Sequence, residues 1–256
     1  MLTMIKMSQL TRLKKATLVF LTATACLLPA ATLANSPKEL DIVSFNAVYD
    51  MYRQGDLLGQ GERKFSQLAE NQYSLSLESE LEWLIFSDKR KEVSIFKMEN
   101  GQVSPLSYKY ERSGTGSDKK LSIEFQADNK VIIEPRPKRD AAPEQGQPGW
   151  LDEMTMHMQI QLDLMNGKKD LSYTMVSNSG ELREYQFEVV GEELISTGMG
   201  RFKAIKVARV YEDRKFYAQH AWFIPELDYV LARLWRMKKG VEQYDLVIKS
   251  YSASKI

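Results

Sequence analysis

The sequence predicts a mainly β protein: one antiparallel, strongly curved sheet or half-open barrel of roughly ten to twelve strands with one covering amphipathic helix. Three observations lead to this fold class. Long segments alternate apolar and polar residues, short turn sequences separate these segments, and a single helical pattern interrupts them. A sheet with this many strands usually curls, so a barrel-like curvature is expected.

The first 34 residues have the three-part layout of a secretory signal peptide. Four basic residues open the segment, an apolar run covers residues 16–28, and the small residues Thr32 and Ala34 suit signal peptidase. We expect cleavage after Ala34, which leaves residues 35–256 as a single exported, periplasmic domain. An uncleaved membrane anchor and a lipid-modified Cys26 are the alternatives.

Composition narrows the classes of function. Residues 1–34 contain four of the 35 basic residues, none of the 34 acidic residues and the single cysteine. The mature chain therefore carries 31 basic and 34 acidic residues and no cysteine. This charge balance does not favour nucleic acid as a partner, and disulfides, thiolate nucleophiles and cysteine-bound metals are excluded from the mature chain.

The predicted strands show a long and regular alternation of apolar and polar residues. One face of the segment 73–85 is apolar, the opposite face carries serine and glutamate, and similar alternation returns at 121–127 and 184–189. One-sided strands of this kind belong to antiparallel sheets. Turn sequences between the strands predict hairpins at 54–56, 70–71, 99–101, 128–129, 178–180 and 238–240.

The helix is predicted at residues 150–165. Leu151, Met154, Met158 and Leu162 recur at three- and four-residue steps, and this spacing indicates one apolar face. The intervening polar residues, among them Gln159, are expected in solvent. A proline-rich loop at 134–149 precedes the helix and is expected to be exposed and largely irregular.

The methionine-rich face of this helix has two interpretations. Met154, His157 and Met158 are neighbours on a helix and have the soft donors that Cu(I) prefers. Alternatively, the methionines fill an irregular space beneath the helix. We favour the second interpretation and expect no metal site and no cofactor.

The motifs of common enzymes are missing from the sequence. The chain has two histidines, no nucleophile elbow, no P-loop and no dinucleotide-binding glycine motif after a strand. Glu78, Glu80 and Glu82 alternate along one strand face, where a solvated outer surface explains them. We expect a protein that is not an enzyme.

Two arginines near the C-terminus lie on otherwise apolar strand faces. Arg209 and Arg233 each need an acidic partner or an anionic ligand if they are buried, and an internal salt bridge is the ordinary solution. Trp222 lies in a strand that is apolar on both faces, so this strand is expected to contact both core and helix.

Five segments resemble an uncharacterised family of exported bacterial proteins known only as a domain of unknown function. The closing segment reads HAWFIPELDYVLARL over residues 220–234, and the further segments are 45–52, 105–110, 152–164 and 240–246. The resemblance covers most of the mature chain and implies an exported β-rich fold. It brings no established activity and no site residues.

Together these features predict a non-catalytic periplasmic binding or carrier protein for an apolar or amphiphilic ligand, such as a lipid or a glycolipid precursor. The alternative is a scaffold of cell-envelope assembly that binds an envelope protein and has no ligand cavity. Membrane contact is expected to be peripheral or absent. The helix is expected to act as a movable cover, and the expected ligand-binding residues are Met154, Met158, Leu162, Arg209, Trp222 and Arg233.

Overall fold

A computed structural model of the chain describes residues 37–38, 40–83, 86–137, 143–213 and 215–255. The signal peptide expected at residues 1–34, with Cys26, lies outside the described residues. The described part contains one α-helix, α1 (Glu153–Met165), and one short 3-10 turn at Pro225–Leu227. Its strands are β1 (Ile42–Arg53), β2 (Asp56–Ala69), β3 (Gln72–Trp83), β4 (Phe86–Glu99), β5 (Gln102–Gly114), β6 (Lys119–Phe125), β7 (Val131–Glu134), β8 (Asp170–Val176), β9 (Leu182–Thr197), β10 (Gly200–Arg209), β11 (Tyr217–Ile224), β12 (Val230–Lys238) and β13 (Val241–Lys255).

All thirteen strands form one antiparallel sheet. The order across the sheet is β7-β6-β5-β4-β3-β2-β1-β13-β12-β11-β10-β9-β8, so every neighbour except the β1–β13 pair is joined by a hairpin. The β1–β13 pairing joins the first and last strands, for example Tyr49 opposite Ile248. The mainly β, curved-sheet fold is thus confirmed, with thirteen strands where ten to twelve were expected.

Four of the turns that the sequence predicts are two-residue hairpin loops. In three of them, at 54–55, 100–101 and 239–240, a residue with φ between 53° and 55° precedes a glycine with φ between 72° and 89°. Two successive positive φ angles define the type I′ turn, whose twist matches that of the flanking strands. These loops therefore fix the register of long strands with few residues.

The inner and outer faces of the sheet follow the predicted alternation. On β3, Leu75 is fully buried, whereas Glu78 and Glu80 on the opposite face form cross-strand ion pairs with Lys91 and Lys89 of β4. The outer face of this region is therefore charged and solvated, and the inner face faces the core.

The segment that precedes α1 spans the space between the two edge strands. Lys130, next to β7, forms an antiparallel bridge with Gln145, and Leu151 forms a parallel bridge with Met175 of β8. The end of the loop predicted at 134–149 is thus paired with a strand. This pairing gives hydrogen-bond partners to edges that a thirteen-stranded sheet would otherwise leave open.

Helix α1 lies inside the curve of the sheet. It contacts β3, β4 and β5 on one side and β8 and β12 on the other. Every residue from Met154 to Leu164 except His157 is buried, Gln159 included. The expectation that the polar face of the helix lies in solvent is therefore wrong, because sheet surrounds the helix on more than one side.

The buried polar residues of α1 each bind a different part of the sheet. The Ser94 hydroxyl of β4 donates to Asp152 over 2.6 Å, and Gln161 donates to the Asp228 carbonyl of the β11–β12 turn over 2.7 Å. The Tyr173 hydroxyl of β8 donates to Asp163 over 2.8 Å. These bonds hold the helix at both ends and on both sides, which favours a fixed internal element over a movable cover.

The helix begins three residues later than the sequence predicts. Leu151 is extended because it pairs with β8, and Asp152 is the N-cap. The Asp152 carboxylate accepts hydrogen bonds from the backbone N–H groups of Met154 and Thr155, both over 2.9 Å. The Thr155 hydroxyl in turn accepts the backbone N–H of Asp152 over 2.8 Å, which completes a capping box.

Gln159→Leu is expected to lower the free energy of unfolding by about 2–4 kcal/mol. The side chain of Gln159 accepts the N–H of Val103 over 2.8 Å and donates to the carbonyl of Gly101 over 3.0 Å. Leucine would remove the acceptor of the Val103 N–H, and it would leave the Gly101 carbonyl with only the longer contact, 3.3 Å, from the Gln102 side chain. Urea denaturation monitored by circular dichroism measures the change.

The matched control is Gln126→Leu at an exposed position after β6, where a change within about 0.5 kcal/mol is expected. Similar losses in the two variants would contradict the internal position of α1.

Candidate functional site

A cavity of about 760 Å³ lies inside the sheet, next to the N-terminus of α1. We call this part of the sheet the cavity end; the hairpin turns at 54–55 and 239–240 belong to it. The opposite part, the helix end, contains Asn166 at the C-cap of α1 and the turn at 100–101. The volume lies in the range of small-molecule binding pockets, about 300–1,000 Å³.

An aromatic layer fills the helix end and forms the base of the cavity. It consists of Phe45, Phe65, Tyr73 and Phe96. The rings of Phe45 and Phe65 stack with centroids 5.4 Å apart, and those of Phe65 and Tyr73 stack at 5.3 Å. Because side chains alternate along a strand, the next inward residue after Phe65 on β2 is Arg63. The cavity therefore begins at the level of Arg63.

The floor of the cavity, formed by Tyr49, Arg63, Leu77 and His157, combines apolar and basic groups. Arg63 lies directly opposite Leu77 in the β2–β3 pair. The Tyr49 hydroxyl donates to the Leu231 carbonyl over 2.7 Å and is also hydrogen-bonded to the Arg63 side chain. These contacts fix the phenol, and Arg63 itself lines the cavity.

Arg63 is the one arginine in the described part of the chain that is buried, with 5% of its surface exposed. No ion pair joins Arg63 to any described carboxylate. Burial and the Arg63 charge lower the pKa of His157 to about 3, so this imidazole is neutral. A buried cation without a counter-charge costs several kcal/mol of stability, which marks the floor as unusual.

Three carboxyl groups line or adjoin the cavity beside the helix N-terminus. Burial raises the pKa of Glu92 to about 7, although the Tyr108 hydroxyl donates to this carboxylate over 2.6 Å. Burial also raises the pKa values of Asp152 and Glu153. Glu92 therefore carries less negative charge near neutral pH than an exposed carboxylate would.

The mouth of the cavity carries arginines whose charges are compensated. The Asp88 carboxylate accepts two hydrogen bonds from Arg90, from Nε at 2.9 Å and from Nη2 at 3.0 Å. It accepts a third from Nε of Arg112 at 3.1 Å. Seven basic and three acidic residues line the whole cavity, so its net charge is positive. The basic residues are Arg53, Arg63, Arg90, Arg112, Arg183, Arg236 and Lys238.

Apolar side chains form the walls between the floor and the mouth. They come from both halves of the sheet and from α1: Met51, Leu58, Leu77, Leu81, Met154, Met156, Leu231, Leu234 and Leu246. The site thus offers an apolar surface together with cationic groups, an arrangement that is complementary to an anionic amphiphile.

The structure places the residues expected to bind a ligand in three locations. Met154 lines the cavity, whereas Met158 and Leu162 are fully buried in the core between helix and sheet. The interpretation that methionines fill space beneath the helix describes Met158 well. Met154 and His157 line the cavity without Met158, and the described residues hold no group of three His, Cys, Asp or Glu that would bind a metal.

Trp222 and Arg233 lie opposite each other in the β11–β12 pair and do not line the cavity, and Trp222 is buried. The indole N–H of Trp222 donates to Glu193, and Arg233 stacks on the indole ring at 4.8 Å. Arg233 also forms a bidentate pair with Asp245, with distances of 2.8 and 2.7 Å. The internal salt bridge, the ordinary role considered for this arginine, is therefore present.

Arg209 has aromatic partners. Its guanidinium lies 3.5 Å from the ring centroid of Tyr185 and 4.7 Å from that of Tyr211. Tyr185 lines the cavity, whereas Arg209 does not. Arg209 therefore packs against a residue of the cavity wall.

Arg63 is the residue that the sequence reasoning missed. The signal was available, because Gly61, Arg63 and Phe65 share one face of a strand in the same way that Arg209 shares a face with apolar residues. The neighbouring charges Glu62 and Lys64 obscure this signal, because they give the segment the composition of a solvated strand.

The fold and the cavity define a β-barrel-like protein with an internal helix and an amphiphilic site at one end. The chain belongs to the family described as protein of unknown function DUF3108, which it matches over residues 48–247. The family resemblance seen in the sequence is thus confirmed. A comparison with curated proteins finds no match.

Two solved structures are similar to the chain. One is a β-barrel-like protein of the domain of unknown function DUF1849 from Brucella abortus, with a TM-score of 0.56, 9% identity, and coverage of 85% of this chain and 100% of that one. The other is a protein with a YmcC-like fold from Bacteroides fragilis, with a TM-score of 0.31, 13% identity, and coverage of 84% and 97%. The Brucella protein shows that this fold occurs in another chain of very different sequence.

The Glu92 carboxyl predicts a pH dependence of stability. Its pKa is about 7 in the folded protein and 4.5 in the reference state, so the folded state holds an extra proton between these values. This contribution to stability is complete below about pH 4.5 and is lost as the pH rises through about 7. The lowered pKa of His157 has the opposite effect on stability. Its contribution is complete above about pH 6.5 and is lost as the pH falls from there toward about 3.

Glu92→Gln should therefore melt at a higher temperature than the parent near pH 8 and at a similar temperature near pH 4. The amide oxygen still accepts the Tyr108 hydroxyl, and the buried charge is removed. Thermal melts across this pH range, with the exposed Glu99→Gln as control, measure the difference. An advantage of Glu92→Gln that does not grow with pH would contradict the burial of an ionisable Glu92.

Proposed function

We propose that this protein is a non-catalytic periplasmic binding or carrier protein that holds an apolar or amphiphilic ligand, such as a lipid or a glycolipid precursor, in the cavity. The observation that carries the proposal is the 760 Å³ cavity with apolar walls and a positively charged lining. A scaffold protein would be expected to fill this interior with side chains, as protein interiors generally do.

The positions of the titratable groups support a binding role over a catalytic one. Asp152 caps the helix and accepts a hydrogen bond from the Ser94 hydroxyl. Asp88 forms ion pairs with two arginines, and Glu92 accepts a hydrogen bond from the Tyr108 hydroxyl. Each of these carboxyl groups has a structural partner. The flexible thioethers of Met51, Met154 and Met156 supply an adaptable apolar surface of the kind used to accommodate ligands of variable shape.

The proposed place of action is outside the cytoplasm. The N-terminal segment with its basic start, apolar run and Thr32-Leu33-Ala34 ending supports export by a cleaved signal peptide. No helix among the described residues is long and apolar enough to cross a bilayer. We propose peripheral or no contact with the membrane.

Ser79→Trp is expected to abolish binding of an apolar probe. Ser79 lies on the inner face of β3 and lines the cavity, so an indole at this position would occupy the space between the walls. The fluorescence increase of N-phenylnaphthylamine, a neutral apolar dye, measures binding to the mature chain. We expect saturable binding by the parent protein and a loss of at least about tenfold in affinity for the variant.

Ser76→Trp is the matched control, because Ser76 lies on the outer face of the same strand, three residues away. It should leave dye binding unchanged. Absence of dye binding by the parent, or equal effects of the two substitutions, would contradict a ligand cavity and favour the scaffold role.

A further inference from the structure

We propose that Arg63, positioned by Tyr49, forms an anion subsite at the floor of the cavity, which receives the acid group of the ligand, a carboxylate or a phosphate monoester. This inference rests on the proposed binding function and specifies its ligand class. The ligand enters with its acid group first, and its apolar part lies along the walls toward the mouth.

The unpaired state of Arg63 is the first argument. A guanidinium has five N–H donors, and the contact with the Tyr49 hydroxyl uses one of them. Arg63 is 95% buried, lines the cavity and has no ion pair with any carboxylate in the described part of the chain. Burying a cation in this way is costly unless an anion completes the site.

The contrast with the other arginines strengthens this argument. Arg90 and Arg112 direct their donors at Asp88, and Arg233 directs its donors at Asp245. Each of these side chains is also more exposed than Arg63. These three arginines, which have access to solvent, therefore each have a carboxylate partner, whereas the buried Arg63 has none among the described residues.

The neighbours of Arg63 position its donors. The phenol proton of Tyr49 is committed to the Leu231 carbonyl, so the phenol oxygen faces Arg63 as an acceptor and holds one edge of the guanidinium. Leu77 packs opposite, and the aromatic layer lies beneath. The remaining edge faces the cavity, where a two-oxygen acid group forms parallel hydrogen bonds.

The apolar walls fix the orientation of the ligand. Leu77 lies at the floor, and Met51, Leu81, Leu234 and Leu246 continue toward the mouth. The long side chains at the mouth bring their charges to solvent while their methylene groups cover apolar surface. A ligand with an apolar chain and a terminal acid group would contact the apolar walls with its chain and Arg63 with its acid group.

Displacement of N-phenylnaphthylamine by lauric acid, dodecyl phosphate and dodecanol tests the subsite, because the three compounds share a chain and differ in the head group. For the mature parent protein, we expect at least one acid to bind about tenfold or more tightly than the alcohol. Lauric acid in first place identifies a carboxylate site, and dodecyl phosphate in first place identifies a phosphate site.

Arg63→Met should remove this preference and leave the affinity for dodecanol within about threefold of the parent value. Its melting temperature should stay equal or rise, since methionine removes a buried charge that has no counter-charge. An arginine with a purely structural role would give a lower melting temperature and no change in head-group preference. Arg63→Lys keeps the charge and should retain part of the head-group preference. This variant provides an independent measurement of the preference if Arg63→Met does not fold.

The control is Arg201→Met, an exposed arginine of β10 outside the cavity, which should keep the full preference. Equal affinities of the parent for all three compounds, or an unchanged preference in Arg63→Met, would overturn the anion subsite while leaving the cavity proposal intact. Failure of the parent to bind the dye and all three compounds would instead overturn the proposed function.

Discussion

A difference in length between the strands and the helix governs this structure. The longer strands have 12 to 16 residues and extend roughly 40–50 Å, whereas the 13 residues of α1 span about 20 Å. Even with the tilt that a barrel imposes, the helix fills only part of the interior. The aromatic layer and the helix pack the helix end, and the remaining length of the strands encloses the cavity.

This division requires the helix to stay at one depth within the sheet. Apolar packing alone would allow it to slide, because methionine and leucine tolerate altered contacts. The hydrogen bonds of Asp152, Gln159, Gln161 and Asp163 to four separate parts of the sheet define one position. Buried polar groups are costly unless paired, so any displacement of the helix would break several pairs at once. The cavity is therefore a fixed feature of the fold.

Much of the fold could be predicted from the sequence because the signals are local. Alternation places Leu75 and Glu78 on opposite faces of β3, and the turn sequence Asn100-Gly101 marks a hairpin without reference to the rest of the chain. The internal position of α1 could not be predicted in this way. Gln159 looks like a solvated residue within its own helix, and its partners Val103 and Gly101 lie more than 50 residues away.

The candidate site was harder to predict for the same reason. The cavity is formed by residues from nine strands and the helix, and no short segment carries its pattern. The chemistry of Trp222 and Arg233 makes both residues candidates for ligand binding. The sequence of a strand that is apolar on both faces, however, does not show which face is inside the sheet. Arg63 has the chemistry of a site only because Tyr49 lies beside it and because no acidic side chain in the described part of the chain forms an ion pair with it.

The central claim is that the cavity holds an acidic amphiphile in the working protein. Native mass spectrometry of protein purified from the cell envelope under mild conditions tests it directly, since a retained ligand is weighed with the chain. The account predicts an added mass from one small molecule, which denaturation releases and which ionises as an anion. A spectrum that contains only the mass of the mature polypeptide, from preparations that still bind dye, would contradict the claim.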